Sequence, residues 1–408
     1  MDVKSKKEFD IIVWGATGFT GQLVSEYLFK KEKISLGLAG RDKDKLQGLK
    51  NRLISINGQN NHCEVIVAES FDLESLKRMA RKGRVICNCV GPYLKHGMNI
   101  IKACISEGSH YCDLCGEIPW IKEVIDQFHH KAEEKKLKIV PSCGFDSIPS
   151  DLGVYLLQKE EIKKNKHPIV DVTFYLEKMR GGISGGSLSS MVSLIEYRRE
   201  KRKKKNKVSL GPFVLYPENE PKGPLQPDSF RIEWDKVRKC WTGPFIMAAV
   251  NTRIVRRSNA LLDFYYDKNF KYKEVSVFGG RIKAEKNRMT LGLLGFFLNF
   301  SWSRFLLRKY IFPSPGEGPS LETIENGYFK AKICSSSGDS SLSVEVEGRK
   351  DPGYGATAIM LGESALCLAE KFEQLSPQLG VVTPASGMGM VLIDQLNKNG
   401  VTFKVLDS

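Results

Sequence analysis

Phe9-Asp10-Ile11-Ile12-Val13-Trp14 runs straight into Gly15-Ala16-Thr17-Gly18-Phe19-Thr20-Gly21, and this join decides the fold. The first six residues form an apolar run of strand length, and a helical pattern follows over 19–31. Glycines at such a junction permit a tight turn and a close approach of backbone to pyrophosphate, whose charge then faces the helix N-terminus. A glycine triplet alone is weak evidence. A strand before it, a helix after it and a βαβ continuation make it strong. Gly15, Ala16, Thr17, Gly18, Phe19, Thr20 and Gly21 are therefore assigned to the phosphates of a dinucleotide.

The same alternation continues outward. Strands are expected at 36–39, 63–68, 85–90, 110–114 and 138–140, with helices at 43–56, 73–81, 98–107 and 118–135. This order predicts an α/β protein whose first domain, residues 1–150, is a Rossmann domain with a doubly wound parallel sheet. The pattern changes after about Asp151. Strands at 169–176, 275–278 and 342–347 suggest a second, α+β domain over 151–350. A last segment, 351–408, reads as helix, helix and strand. Gly181–Gly186 reads as a hinge loop, with a substrate channel as the lesser reading.

The second strand ends in Ala39-Gly40-Arg41. An acidic residue near this point suits the ribose 2′-hydroxyl of NAD, whereas an arginine suits the 2′-phosphate of NADP. Arg41 favours NADP, although Asp42 follows it. The fourth strand ends in Asn88-Cys89-Val90-Gly91-Pro92-Tyr93. Ligands in such sheets lie beyond the carboxyl ends of strands, so Asn88, Val90 and Gly91 are expected beside the cofactor.

Composition narrows the setting. The net charge of +15 points to an acidic partner such as a phosphate cofactor or an anionic membrane. Nothing resembles a nucleic-acid-binding module. Met1 to Glu8 is polar, with no secretory core, so an intracellular, reducing location with free thiols is expected for the ten cysteines. Cys112 and Cys115 form a C-x-x-C with no second pair, so no metal site is assigned.

Hydride transfer needs a positioned acceptor and a proton donor. Tyr93, Asp113, Glu117, Asp146 and Ser147 fall at or just after strand ends. Tyr93, Asp146 and Ser147 are the catalytic candidates. Capping of a helix starting near Ile148 explains Asp146 or Ser147 equally well.

Two segments suggest a surface. Arg198, Arg199, Lys201–Lys205 and Lys207 are opposed only by Glu200. Residues 289–312 are apolar, with no charge before Arg304. A helix over 289–303 would be roughly 22 Å long, short of a hydrocarbon core of about 30 Å. A helix lying in the membrane interface fits better, with a buried core helix as the alternative.

The chain resembles the saccharopine dehydrogenase-like oxidoreductases, in the branch that includes the trans-acting enoyl reductases. The carrying segments are GATGFTG (15–21), AGR (39–41), NCVGPY (88–93), YCDLCGE (111–117), CGFDSIPSDLG (143–153), GPFIMAAVNTRIVRRSNALL (243–262), PGEGPS (315–320), DPGYGATAIMLGESALCLA (351–369) and GVVTPASGMG (380–389). The resemblance implies an NADP-type Rossmann domain, an α+β domain and a C-terminal segment that returns to the first domain. It also implies lipid metabolism, with a lipid-like or acyl substrate as in glycolipid synthesis, and a membrane or lipid-droplet surface. The expectation is an NADP-dependent reductase of such a substrate. The alternative is an NADP-binding scaffold on lipid surfaces without turnover. A homodimer stays open.

Overall fold

The computed structural model describes residues 7–57, 62–182, 185–203, 211–300, 303–304 and 318–407. The ends of both surface segments, 204–207, 301–302 and 305–312, lie outside the described residues.

The first sheet begins with β1 (Phe9–Trp14), β2 (Leu36–Gly40), β3 (Cys63–Val67), β4 (Gly83–Asn88), β5 (His110–Asp113) and β6 (Lys138–Val140). Their order is β6-β5-β4-β1-β2-β3, and every pairing is parallel. Strands buried on both faces need apolar side chains throughout, and Ile11, Ile12, Val13, Val85, Ile86 and Cys87 are fully buried. The crossovers are α1 (Phe19–Phe29), α2 (Lys43–Asn57), α3 (Leu73–Lys82), α4 (Tyr93–Glu107) and α5 (Ile118–Glu134). Helix α4 starts five residues before the expected Met98. The Glu117 carboxylate reaches from the next loop and accepts the N–H groups of Tyr93 and Leu94 at 3.0 and 2.9 Å. That cap satisfies two of the helix's orphan donors.

The chain then builds α6 (Ile148–Asn165), β7 (Asp171–Arg180), α7 (Gly185–Lys203), β8 (Glu233–Asp235), β9 (Cys240–Pro244), α8 (Ala248–Leu261), β10 (Lys271–Phe278) and α9 (Arg281–Leu298). Next come α10 (Leu321–Glu325), β11 (Tyr328–Ser335), β12 (Leu342–Gly348), α11 (Gly355–Glu370), β13 (Gly380–Val381), α12 (Pro384–Gly387), α13 (Gly389–Lys398) and β14 (Val401–Asp407). The second sheet runs β14-β12-β11-β7-β10-β9-β8. It is mixed: β7 and β10 are parallel, and the other neighbours antiparallel. The molecule is thus an α/β protein with a parallel Rossmann-like sheet and a second mixed-sheet domain.

The last 58 residues serve both sheets. Helix α11 lies across β1, β4 and β5 and against α1. There the Tyr27 hydroxyl donates to Glu363, and Lys31 reaches the same carboxylate at 2.8 Å. Strand β13 pairs with β6 and becomes the seventh strand of the first sheet. Lys138 of β6 is 1% exposed and donates to the carbonyls of Ser376, at 2.7 Å, and Gln378. Strand β14 instead forms an edge of the second sheet. Gly181–Gly186 is not one loop. Gly185 and Gly186 open α7, and the Gly182 N–H donates to Asp351 at 2.5 Å.

Candidate functional site

The glycine turn is built as the chemistry requires. Gly15 has φ +86°, and a Cβ there would lie 2.6 Å from Val90 Cγ2. The left-handed backbone and the close approach of the β4 loop both need glycine. A Cβ on Gly21 would lie 2.1 Å from the Gly15 carbonyl oxygen. Gly21 therefore lets α1 pack down on the turn. Gly18 is the N-cap of α1, with no side-chain cap, and donates to Gly15 O at 3.0 Å. The first N–H groups of α1 have no intrahelical acceptor and suit an anion. These residues fit a pyrophosphate. Phe19 opens the helix beneath Tyr354, the rings 5.2 Å apart edge to face, and Gly318 lies against the Phe19 ring. Two segments of the second half thus meet the cradle.

Arg41 leaves β2 exposed and makes no ion pair or hydrogen bond among the described residues. Asp42 accepts the Lys45 N–H at 3.1 Å and so caps α2. That cap lowers its carboxyl below the ordinary value. The base at this sheet end is Arg41, whose guanidinium suits a 2′-phosphate.

Beyond β4 and β5 a buried polar chain holds the strand ends. Asn88 Oδ1 accepts the Val90 N–H at 2.8 Å, Asn88 Nδ2 donates to Tyr111 at 2.9 Å, and Tyr111 donates to Asp113 at 2.7 Å. Asp113 also accepts the N–H groups of Cys115 and Ser142. Burial still pushes its carboxyl up to about 7. Of this loop, Val90 and Cys89 lie against Gly15, and Gly91 lies near Tyr93 and Ser190. Tyr93 is 3% exposed, packs on Trp120 and donates to Asn88 O at 3.2 Å. Its hydroxyl braces the strand end, and burial raises its pKa well above the ordinary phenol value.

Ser147 occupies the N-cap position of α6 but makes no capping bond. Its hydroxyl donates instead to Asn251 Oδ1 at 3.1 Å. Asn251 Nδ2 donates to Ser150 at 3.2 Å and to Glu274 at 2.9 Å, and Tyr272 donates to Glu274 at 2.7 Å. Burial pushes Glu274 up to about 7. Nearby, Asp151 accepts from Ser258 and from the Ala385 N–H. Asn251, Glu274 and Asp151 carry no sequence signal of their own, because lone polar residues inside helices and strands look like surface positions.

Asp146 differs from these carboxyls. Its oxygens lie 3.5 and 3.4 Å from where Cβ atoms would stand on Gly116 and Gly144, in the loops after β5 and β6. Its carboxyl accepts a hydrogen bond from its own backbone N–H. Burial pushes it up to about 7. It is a half-buried carboxyl beyond the ends of β5 and β6.

Cys112 and Cys115 of the C-x-x-C are buried free thiols, and Cys115 Sγ accepts the Glu117 N–H at 3.2 Å. A cluster of His129, His130 and Glu133 lies on α5. His129 Nδ1 accepts the Val381 N–H at 3.0 Å. In the neutral ring Nε2 then carries the proton and offers no lone pair.

Helix α9 has two apolar stripes. Leu291, Leu294 and Leu298 turn inward, with Leu298 4% exposed and Leu294 packed near Val192. Met289, Leu293, Phe296, Phe297 and Phe300 are exposed at 66, 50, 57, 38 and 39%. The expected interfacial segment therefore divides by face: Leu294 and Leu298 belong inside and Phe297 outside. The preceding turns carry exposed Arg281, Lys283 and Lys286. Among the described residues no helix is long and apolar enough to cross a membrane.

Comparisons with known proteins agree with this geometry. The model of the saccharopine dehydrogenase NADP-binding domain matches residues 11–140. A Mycobacterium tuberculosis protein, provisionally named a trans-acting enoyl reductase, is 35% identical over 413 residues, covering 98% of this chain and 97% of its own. The trans-acting enoyl reductase of Mycobacterium ulcerans is 32% identical over 411 residues, covering 97% of each. Among solved structures, apo saccharopine dehydrogenase (L-Glu forming) from Saccharomyces cerevisiae aligns with a TM-score of 0.51, over 97% of this chain and 99% of that one. At 13% identity the likeness is one of fold.

Proposed function

Because the chain belongs to the trans-acting enoyl reductase branch of the saccharopine dehydrogenase-like oxidoreductases, we propose that it reduces a carbon–carbon double bond of a lipid-like or acyl substrate at a membrane or lipid-droplet surface. It is an NADP-dependent oxidoreductase; the substrate and the setting are the proposal. The exposed stripe of α9 carries it. Its five large side chains are about half exposed on average, so covering them contributes roughly 4–8 kcal/mol before ordering costs. Arg281, Lys283 and Lys286 flank the stripe with charge that suits anionic headgroups.

Bound NADPH supplies the hydride. Gly15–Gly21 and the α1 N-terminus would hold its pyrophosphate, Arg41 its 2′-phosphate, and the Asn88–Gly91 loop would border its ribose. Asp146 keeps a proton near neutral pH and donates it to the substrate carbon that gains no hydride. Ser147 is held by Asn251 and positions the loop that carries Asp146.

The test is NADPH consumption with a panel of enoyl thioesters, with and without anionic vesicles. Turnover that rises with vesicles supports the reading. NADPH that binds but is never consumed means a non-catalytic scaffold. Turnover indifferent to vesicles removes the lipid surface.

A further inference from the structure

A cavity of about 410 Å³ lies in the second domain, within the size range of small-molecule sites. The inward stripe of α9 forms one wall through Leu291, Leu294 and Leu298. Leu225, Phe230 and Ile246 stand at its rim, 74, 62 and 43% exposed. Such exposure is costly in water and marks an apolar mouth to the cavity.

The other wall is polar. Helix α8 borders the cavity through Ala248, Thr252 and Arg256. Arg256 is 2% exposed. It donates to Tyr272 O at 2.9 Å and weakly to Gln226 at 3.5 Å. Its Nη1 is buried with no hydrogen-bond partner among the described residues. A buried guanidinium donor without a partner costs free energy unless something accepts from it. Arg231 and Lys273 also line the cavity, as do Asp228, Glu233 and Glu274. Asp228 is engaged by Arg253, and Glu274 by Asn251 and Tyr272. The carboxylates therefore leave Arg256 Nη1 unmatched.

We propose that this cavity binds one acyl chain bearing an anionic group, with the chain along Leu291, Leu294 and Leu298 and the anion on Arg256. The inference rests on the reading of the protein as a reductase of acyl substrates, and it names the site and the charge of the ligand. Carboxylate and phosphate share the chemistry that a guanidinium recognises. One hydrogen-bond chain leads from the cavity wall toward the strand ends of the first sheet. Val250 of α8 faces the Gly116 turn beyond β5, while Asn251 joins Glu274 of the cavity wall to Ser147.

The full chain is titrated with oleate, with lysophosphatidate of the same chain and with oleyl alcohol, and NADPH binding and consumption are followed in parallel. Saturable one-to-one binding of both anions, at least tenfold tighter than the alcohol, is the expected result. The stronger of the two anions identifies the source of the charge. Leu294→Trp fills the cavity and should weaken all three ligands at least tenfold with NADPH binding unchanged. Arg256→Gln should weaken only the anions, by roughly 10- to 150-fold. Equal binding of alcohol and anions by the native protein overturns the Arg256 anchor even if the variants misfold. Ligand binding unaffected by Leu294→Trp overturns the cavity. Lipid binding by a protein that consumes no NADPH with the enoyl thioesters leaves the cavity standing and removes the reductase reading instead.

Discussion

The Asp42 carboxylate accepts the backbone N–H of Lys45 at 3.1 Å, and this bond decides between two adjacent residues of opposite charge. An acid after the second strand argues for a ribose hydroxyl only if it faces the ribose. This one faces the first turn of α2. Arg41, its neighbour, is exposed and has no ion pair or hydrogen bond among the described residues.

Arg41 should therefore set a preference for NADPH over NADH. A charge-assisted hydrogen bond is worth roughly 1.5–3 kcal/mol, a factor of about 10 to 150. Arg41→Asp should remove that preference, read by titration of nicotinamide fluorescence. Equal affinities in the native protein would exclude a 2′-phosphate contact.

The glycines of the cradle should fail in different ways. Gly18 has an ordinary φ of −71°, so Gly18→Val should fold but abolish dinucleotide binding. Gly21→Ala places a methyl group 2.1 Å from Gly15 O. It should destabilise by about 1–3 kcal/mol, as overpacking does. Thermal melts beside binding titrations separate the two effects. A normally binding Gly18→Val variant would move the phosphate site elsewhere.

Asp146 should impose a pH limb on turnover. The donor must be protonated, and burial raises its pKa to about 7, so kcat should fall as pH rises through that value. Asp146→Asn should cut kcat by about 10²–10⁴ and abolish the limb. Stability has a definite sign. A carboxyl whose folded pKa exceeds its unfolded value contributes fully below the unfolded pKa, and that contribution is lost as pH rises through the folded value. Asp146→Asn should therefore raise Tm more at pH 8 than at pH 5. An unchanged pH profile would assign the proton to another group.

The two faces of α9 should respond separately. Leu293→Ser, Phe296→Ser and Phe297→Ser together should release the protein from floated vesicles at any salt with little change in Tm. Leu298→Ala should lower stability by about 2–5 kcal/mol, because Leu298 is buried. Replacing Arg281, Lys283 and Lys286 by Gln should weaken binding mainly at low salt, where charge is unscreened. A native protein that never floats would end the surface reading.

What the sequence disclosed follows from what each element buries. β1 and β4 lie inside a parallel sheet, and the sequence shows them through the apolar runs Ile11–Trp14 and Val85–Cys87. Strand β11 escaped notice although Phe329, Ala331 and Ile333 alternate with Lys330 and Lys332. The alternation was a valid period-two signal, and Lys330 pairs with Glu345 and Glu347 at 2.6 and 2.8 Å across the strand. Helix α8 offered no such signal. Asn251 through Ala260 are all buried, including Arg253, Arg256 and Arg257, so no apolar stripe separates inside from outside. Ser147 sits at a helix start with the residue type of a cap, yet its hydroxyl serves Asn251, a partner 104 residues away. The cradle was legible because its chemistry is local. The polar network behind it was not, because its partners come from distant elements.

Strand β13 has a consequence for the order in which the molecule is made. The edge that Lys138 offers on β6 is closed by residues 376–381, some 240 positions later. During synthesis on the ribosome the cofactor half must wait, its sheet edge bare and its α11 cover missing, until almost the whole chain has emerged. Contacts this distant in sequence are slow to close. A chain released before residue 381 would leave a parallel sheet with an unpaired edge, the kind of surface that chaperones bind and that aggregates when they do not.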